Sequence, residues 1–110
     1  MIQYTTPTIT SKVKGIDITS MHVWVTLKQG RIKLNKKNAD LTMRTETVGT
    51  STDTIITFML TQEESGSFVF NKPASIQANW IDSHGVRGGT KMATIPVLQN
   101  LLNEVIAYDD

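Results

Sequence analysis

The stretch ITFMLTQEESGSFVF, residues 56–70, changes its pattern halfway along. Apolar residues fall on every second position from Ile56 to Leu60, which is the period of a pleated strand. The next four residues, Thr61–Glu64, have the T-x-x-E form of a helix capping box. A strand followed at once by a capped helical turn predicts a crossover between two sheets, with Phe68 closing the end of the core.

The rest of the chain favours short strands. Threonine occurs sixteen times, mostly in alternation with Ile, Val, Leu or Met, which suits half-buried pleated surfaces. Turn residues such as Gln29-Gly30 and Asp82–Gly85 separate the runs. This spacing predicts an all-β fold, an antiparallel sandwich or barrel of seven or eight strands, forming one domain over residues 1–110. We expect the strands at 7–14, 22–28, 31–35, 40–46, 54–60, 68–70, 74–82 and 88–95.

The alternation also predicts which side chains form the core. We expect Trp80 to be its central aromatic residue, with Phe58 and either Phe68 or Phe70 beside it. The residues expected to point inward are Val23, Val25, Leu27, Ile56, Phe58, Leu60, Ile76, Ala78 and Trp80.

The last part of the chain has a different period. Between Pro96 and Ile106 the apolar residues recur at helical spacing and define a stripe about 100° wide. Proline suits the first turn of a helix, so the sequence predicts a short C-terminal helix over about 96–106. A lone helix of this length is marginal in water, so its stripe must pack on its own sandwich or on a neighbouring subunit.

Composition excludes several classes of chemistry. The chain has no cysteine, which rules out disulfides, zinc–thiolate sites and thiol nucleophiles. No apolar run approaches the roughly 20 residues of a membrane span. The first residues, MIQYTTPTIT, lack the basic and apolar regions of a signal peptide, so we expect a soluble protein made in the cytoplasm.

Catalytic and metal sites are not predicted. Asp82-Ser83-His84 has the residue types of a hydrolase triad, but neighbours in one turn cannot form the relay. His22 is the only other histidine, too little for a metal site. Glu63 and Glu64 are adjacent and cannot flank a scissile bond. The glycines of 85–89 do not open a helix, so no phosphate loop is expected. We therefore assign no catalytic, cofactor-binding or metal-binding residue.

The charges are unevenly distributed. Residues 1–50 carry eight Lys/Arg and three Asp/Glu, a net charge of +5, whereas residues 51–110 carry three and seven, a net charge of −4. One interpretation is that the charged residues of the two halves simply solvate two faces of the domain. The alternative is that copies of the chain meet head to tail, with the positive half of one against the negative half of the next. The cations cluster on the second hairpin without interleaved aromatic residues, which argues against nucleic acid as a partner. They are Arg31, Lys33, Lys36, Lys37 and Arg44.

Trp24 falls on an outward strand position. An exposed indole is typical of residues that bind a partner. The alternative is that the C-terminal helix or the N-terminal tail covers the ring.

The second half of the chain resembles small structural proteins of tailed phages and prophages of Gram-positive bacteria. The resembling residues are Leu60–Glu64 with Phe68, then Ile76–Asp82 with its Q-x-x-W pattern, then Val97–Ile106. The order of these features over about 54–106 is also similar to the N-terminal domain of the phage baseplate upper protein family. Unlike that family, this sequence has no fibre or coiled-coil pattern after the domain. The resemblance implies an immunoglobulin-like sandwich and a non-enzymatic virion component.

The working hypothesis is therefore a phage head, neck or tail/baseplate protein that acts through protein–protein contacts. Its partners would be other virion proteins and further copies of itself in a homo-oligomer, and its location the virion, after synthesis in the host bacterial cytoplasm. The alternative is a carbohydrate- or small-ligand-binding module that uses Trp24 with outward Asn and Gln residues. The residues predicted to bind partners are Trp24, Arg31, Lys33, Lys36, Lys37, Leu98, Leu102 and Val105.

Overall fold

The computed structural model describes residues 1–108, which contain eight strands in two antiparallel sheets and one short helix. This confirms the predicted all-β sandwich. The strands are β1 (Thr8–Val13), β2 (His22–Gln29), β3 (Ile32–Lys37), β4 (Thr42–Val48), β5 (Ser51–Met59), β6 (Ala74–Ile81), β7 (Arg87–Gly89) and β8 (Ala93–Ile95). The helix α1 spans Gln62–Gly66, and a 3-10 turn occupies Asn38–Asp40.

The order of the strands places the two sheets on either side of one core. The three-stranded sheet has the order β1-β5-β4, and the five-stranded sheet has the order β3-β2-β6 with both β7 and β8 along the free edge of β6. The single strand expected at 88–95 is thus divided into two. At the break, Thr90 N donates to Ala78 O (2.9 Å) and the Thr90 hydroxyl accepts from Ala78 N (3.1 Å).

The predicted core residues are confirmed, with one exception. All of the inward set except Trp80 is buried, and the residues come from both sheets. Trp80 is half-buried at the margin, where its indole lies over Gly88; a Cβ at that glycine would be 2.5 Å from Trp80 Nε1. The central aromatic residue is Phe68, which is 1% exposed, whereas Phe70 is only half-buried.

The capping box forms as predicted and connects the two sheets. Thr61 Oγ1 accepts from Glu64 N (3.1 Å), and Thr61 N donates to Glu64 Oε1 (2.8 Å). The buried Ser65 hydroxyl donates to Thr5 O (2.6 Å), which fixes α1 against the chain before β1. The chain thereby passes from β5 to β6 with the donors at the start of its helical turn satisfied.

The strand predicted at 68–70 is wrong. The backbone of this segment is hydrogen-bonded to a glutamine side chain and not to a neighbouring strand. Gln29 Oε1 accepts from Val69 N (2.6 Å), while Gln29 Nε2 donates to Val69 O (2.8 Å) and Lys72 O (2.9 Å). The buried amide of Gln3 donates to Phe68 O (2.6 Å). A carboxamide carries both a donor and an acceptor, so it satisfies a backbone as a strand would.

The predicted C-terminal helix is also wrong, because Pro96–Ile106 contains no helical turn. Leu98 instead forms a parallel bridge with Ile2. Asn100 Oδ1 then accepts from Leu102 N (3.1 Å), a local bond that competes with helical hydrogen bonding. Of the predicted apolar stripe only Val97 is buried, and without burial of the remaining residues a helix this short is not favoured.

Candidate functional site

Trp24 lies in a shallow groove on the outer face of the five-stranded sheet. The strand registers place Lys37 of β3 and Asn79 of β6 directly beside it, and the His22 ring centroid is 6.4 Å from that of Trp24. We call this concavity, about 440 Å³ in volume, the Trp24 groove. Neither the C-terminal segment nor the N-terminal tail lines it. The lining residues are Trp24, Thr26, Asn35, Lys37, Asn79, Trp80, Ile81 and Arg87.

The groove is rich in hydrogen-bond donors. Thr26 Oγ1 donates to Asn35 Oδ1 (2.7 Å), and Arg87 Nη2 donates to Asn79 Oδ1 (3.3 Å). Both amides use their oxygen atoms in these bonds, so their NH₂ groups are the donors that remain for a ligand. With the charged groups of Lys37 and Arg87 alongside, the groove suits carbonyl or carboxylate oxygens.

The positive charge of this outer face is not compensated by acidic side chains. Lys28 and Lys33 are paired directly across β2 and β3, where like charges repel. In residues 1–108 the ion pairs involve the cations of Lys12, Lys36 and Arg44, none of which lies on this face. An acidic partner would relieve the repulsion.

Lys36 has a partner inside its own chain. Its Nζ donates to Glu64 Oε1 (2.8 Å) and Oε2 (2.9 Å), and only 13% of its side chain is exposed. Burial by itself would raise the pKa of Glu64, but the bonds from Lys36 and Thr61 and the lysine charge together hold that pKa below its ordinary value. Lys36 therefore ties β3 to the crossover helix.

Arg44 also lies outside the predicted basic cluster, because it is on β4, which belongs to the three-stranded sheet. On that sheet the charges are paired: Arg44 lies 3.6 Å from Glu46, and Lys12 lies 3.7 Å from the buried Asp53. These cations flank Ile55, which is only 6% exposed although it points away from the core. Long cationic side chains commonly cover apolar surface in this way. The outer face of the three-stranded sheet is therefore neutralised by ion pairs, whereas the outer face of the five-stranded sheet is cationic.

The second candidate surface is the C-terminal arm, which we define as residues 98–108. Gln62 holds it by a reciprocal pair of bonds, from Gln62 Nε2 to Ile106 O (2.8 Å) and from Ile106 N to Gln62 Oε1 (2.9 Å). Asn100 Nδ2 donates to Gln3 O (2.9 Å). The arm nevertheless leaves six large side chains in solvent, with Leu101 94% exposed: Leu98, Leu101, Leu102, Val105, Ile106 and Tyr108.

The predicted partner-binding residues thus fall on two surfaces. Trp24 and Lys37 line the groove, and Arg31 and Lys33 are exposed on the same hairpin. The predicted Leu98, Leu102 and Val105 all lie on the arm. Sequence reasoning placed Asn79 among the outward amides but missed Arg87, which is distant from Trp24 in sequence and reaches the groove only through strand pairing. It also missed Tyr108, whose aromatic ring beside two aspartates was the available signal.

The residues considered for catalysis do not converge in the described part of the chain. Asp82 Oδ1 accepts from His84 N (2.8 Å) and Val86 N (2.9 Å), so it serves as a turn residue. No group of three His, Asp or Glu side chains within residues 1–108 is placed to hold a metal ion. No helix in the same range is long and apolar enough to cross a membrane.

No protein-family model matches the sequence, and no curated protein matches it significantly.

Proposed function

We propose that this protein is a non-enzymatic virion component, a head, neck or tail/baseplate part of a bacteriophage, that binds further copies of itself and other virion proteins. The observation that supports this proposal is the C-terminal arm. The virion assignment comes from the sequence resemblance over residues 54–106.

The arm supports an assembly role because its exposed apolar groups are close together in sequence and the segment that carries them is hydrogen-bonded to the domain. Single exposed leucines are common on protein surfaces, but a run of exposed apolar groups marks an interaction site. Burial of one leucine side chain contributes about 1.5–3 kcal/mol, so several together can drive association. The molecule is also less compact than a domain of this length usually is, since its radius of gyration is 15.4 Å where roughly 13 Å is expected.

The Trp24 groove favours a second candidate, a saccharide-binding module. An indole flanked by the amides of Asn35 and Asn79 offers one stacking surface and two groups that bond to hydroxyls. This class of protein would act as a monomer and bind neutral oligosaccharides.

Native mass measured from micromolar to millimolar concentration tests the proposal. We expect the mass of the wild-type chain to rise with concentration. Leu101→Asp should weaken association by about tenfold or more, because a carboxylate in an apolar contact costs more than about 1.4 kcal/mol. Val48→Asp is the matched control, since Val48 is also exposed but lies on β4 of the other sheet, outside both the arm and the Trp24 groove.

Two results would contradict assembly. One is a wild-type chain that stays monomeric at millimolar concentration. The other is a monomer whose tryptophan fluorescence changes on addition of neutral oligosaccharides, which would identify the binding module instead.

A further inference from the structure

The two candidate surfaces carry opposite charges, cationic in the groove and acidic along the sequence of the arm and its continuation. We propose that the C-terminal arm of one copy docks in the Trp24 groove of a second copy, an inference that rests on the proposed assembly function. The contact is heterologous, because it joins two different surfaces, and it therefore builds rings or open chains.

Charge supplies the first argument. Lys37 and Arg87 line the groove, and within residues 1–108 neither side chain forms an ion pair, although the Asp40 carboxylate accepts from the Lys37 backbone N–H (3.3 Å). The arm carries Glu104, and the sequence continues into Asp109-Asp110. Complementary charges of this kind set the orientation in which two copies meet.

Hydrogen bonding and stacking supply the second argument. The arm forms no helix or strand beyond its bridge at Leu98, so its backbone carbonyls, apart from those of Leu98 and Ile106, are acceptors that the NH₂ groups of Asn35 and Asn79 can bind. Tyr108, which is fully exposed, offers a ring that can pack against the indole of Trp24. A volume of about 440 Å³ accommodates a few side chains of an extended segment.

The arm does not enter the groove of its own chain. It runs past Gln3 and Gln62, to which it is hydrogen-bonded, and no arm residue is among those that line the groove. Each copy therefore presents one arm and one groove. Its arm docks on one neighbour, and its groove receives the arm of another.

A single-stranded nucleic acid fits the groove less well. Such ligands stack successive bases on several aromatic residues. The groove is lined by the indoles of Trp24 and of the half-buried Trp80, with His22 adjacent to Trp24, and its other lining residues are aliphatic, polar or cationic. The groove volume, about 440 Å³, accommodates one aromatic side chain of a peptide beside the two indoles but not a run of stacked bases.

A complementation experiment tests the inference. The groove variant carries Lys37→Glu and Arg87→Glu, and the arm variant carries Leu101→Ser and Tyr108→Ser; all four side chains are exposed, so the fold should persist. Each variant alone should self-associate at least about tenfold more weakly than the wild type. Their equimolar mixture should form a one-to-one dimer, because one variant keeps its arm and the other keeps its groove.

Lys14→Glu with Lys72→Glu is the control for net charge, since both lysines are exposed and outside the groove. It should associate as the wild type does.

The inference is overturned, and the assembly function kept, if the groove variant associates normally while the arm variant does not. A wild-type chain that never associates would overturn both. A third result would also overturn the inference. A single-stranded oligonucleotide would quench the tryptophan fluorescence of the wild type but not of the groove variant, while the groove variant associated normally. This result would assign the groove to a polyanion.

Discussion

The crossover between the sheets, residues 60–73, and the C-terminal arm both carry apolar residues outside the strands, yet the crossover buries Leu60 and Phe68 whereas the large apolar side chains of the arm are exposed. The crossover has a local signal, the capping box, and long-range bonds from the buried amides of Gln3 and Gln29. The arm has bonds of the same chemical kind from Gln62, but these lie in solvent. Apolar period alone therefore does not decide burial; the domain must also satisfy the backbone of the segment it buries.

The largest expected difference between the two segments concerns their apolar side chains. Phe68→Ala should lower the free energy of unfolding by about 3–5 kcal/mol, because it removes a fully buried ring and leaves a cavity. Leu101→Ala should change it by less than about 0.5 kcal/mol, because that side chain is already in water. Chemical denaturation at low protein concentration measures both values. Equal losses would show that the arm packs on its own domain in solution.

The second expected difference concerns the two glutamine clamps. Gln29→Leu removes the partners of Val69 N–H and of two carbonyls, and should destabilise by about 1–3 kcal/mol. Gln62→Leu removes the matching pair at Ile106, but water replaces it, so we expect less than about 0.5 kcal/mol.

Chemical denaturation measures these two changes, and amide hydrogen exchange locates them. The Val69 amide should lose protection in the first variant. The Ile106 amide should exchange quickly even in the wild type. Strong protection of the Ile106 amide from hydrogen exchange in dilute wild-type protein would contradict the expected difference between the two glutamine clamps.

The smallest expected effect is the dependence of the crossover on pH. The folded-state pKa of Glu64 is lowered, so its contribution to stability is complete above its ordinary pKa and is lost as the pH falls through the lower folded-state value. Wild-type protein should therefore lose more stability than Glu64→Gln as the pH falls below about 4.5.

Denaturation midpoints measured across that range provide the test. Glu63→Gln is the control, because Glu63 is adjacent and exposed and forms no ion pair with any residue in 1–108. If the Glu63 variant lost the acid dependence and the Glu64 variant kept it, the ion pair with Lys36 would not be the cause.

The sequence predicts the sheets well because their signal is local and repeated. Val23, Val25 and Leu27 alternate with polar residues, and only one face of the strand can meet the core. The helix α1 was predictable for a similar reason, since Thr61 and Glu64 stand at the spacing of a reciprocal cap.

The remaining features depend on contacts between residues far apart in the chain. Gln3 and Gln29 look like surface residues in sequence, and only the path of residues 68–72 explains why they are buried. The Trp24 groove requires the register of β2 against β6, and the neutralised opposite face requires that of β1 and β4 against β5. Periodicity specifies none of these registers.

The side-chain amides that replace strand partners also give the molecule chemically vulnerable points. Asn38, like Gln29, both accepts and donates, through Val23 N (2.7 Å) and Met21 O (2.9 Å). Hydrolysis of either carboxamide to an acid would convert its donor into a negative charge facing a carbonyl oxygen. Deamidation at either position would therefore loosen the loop that the amide holds while the strands stayed paired.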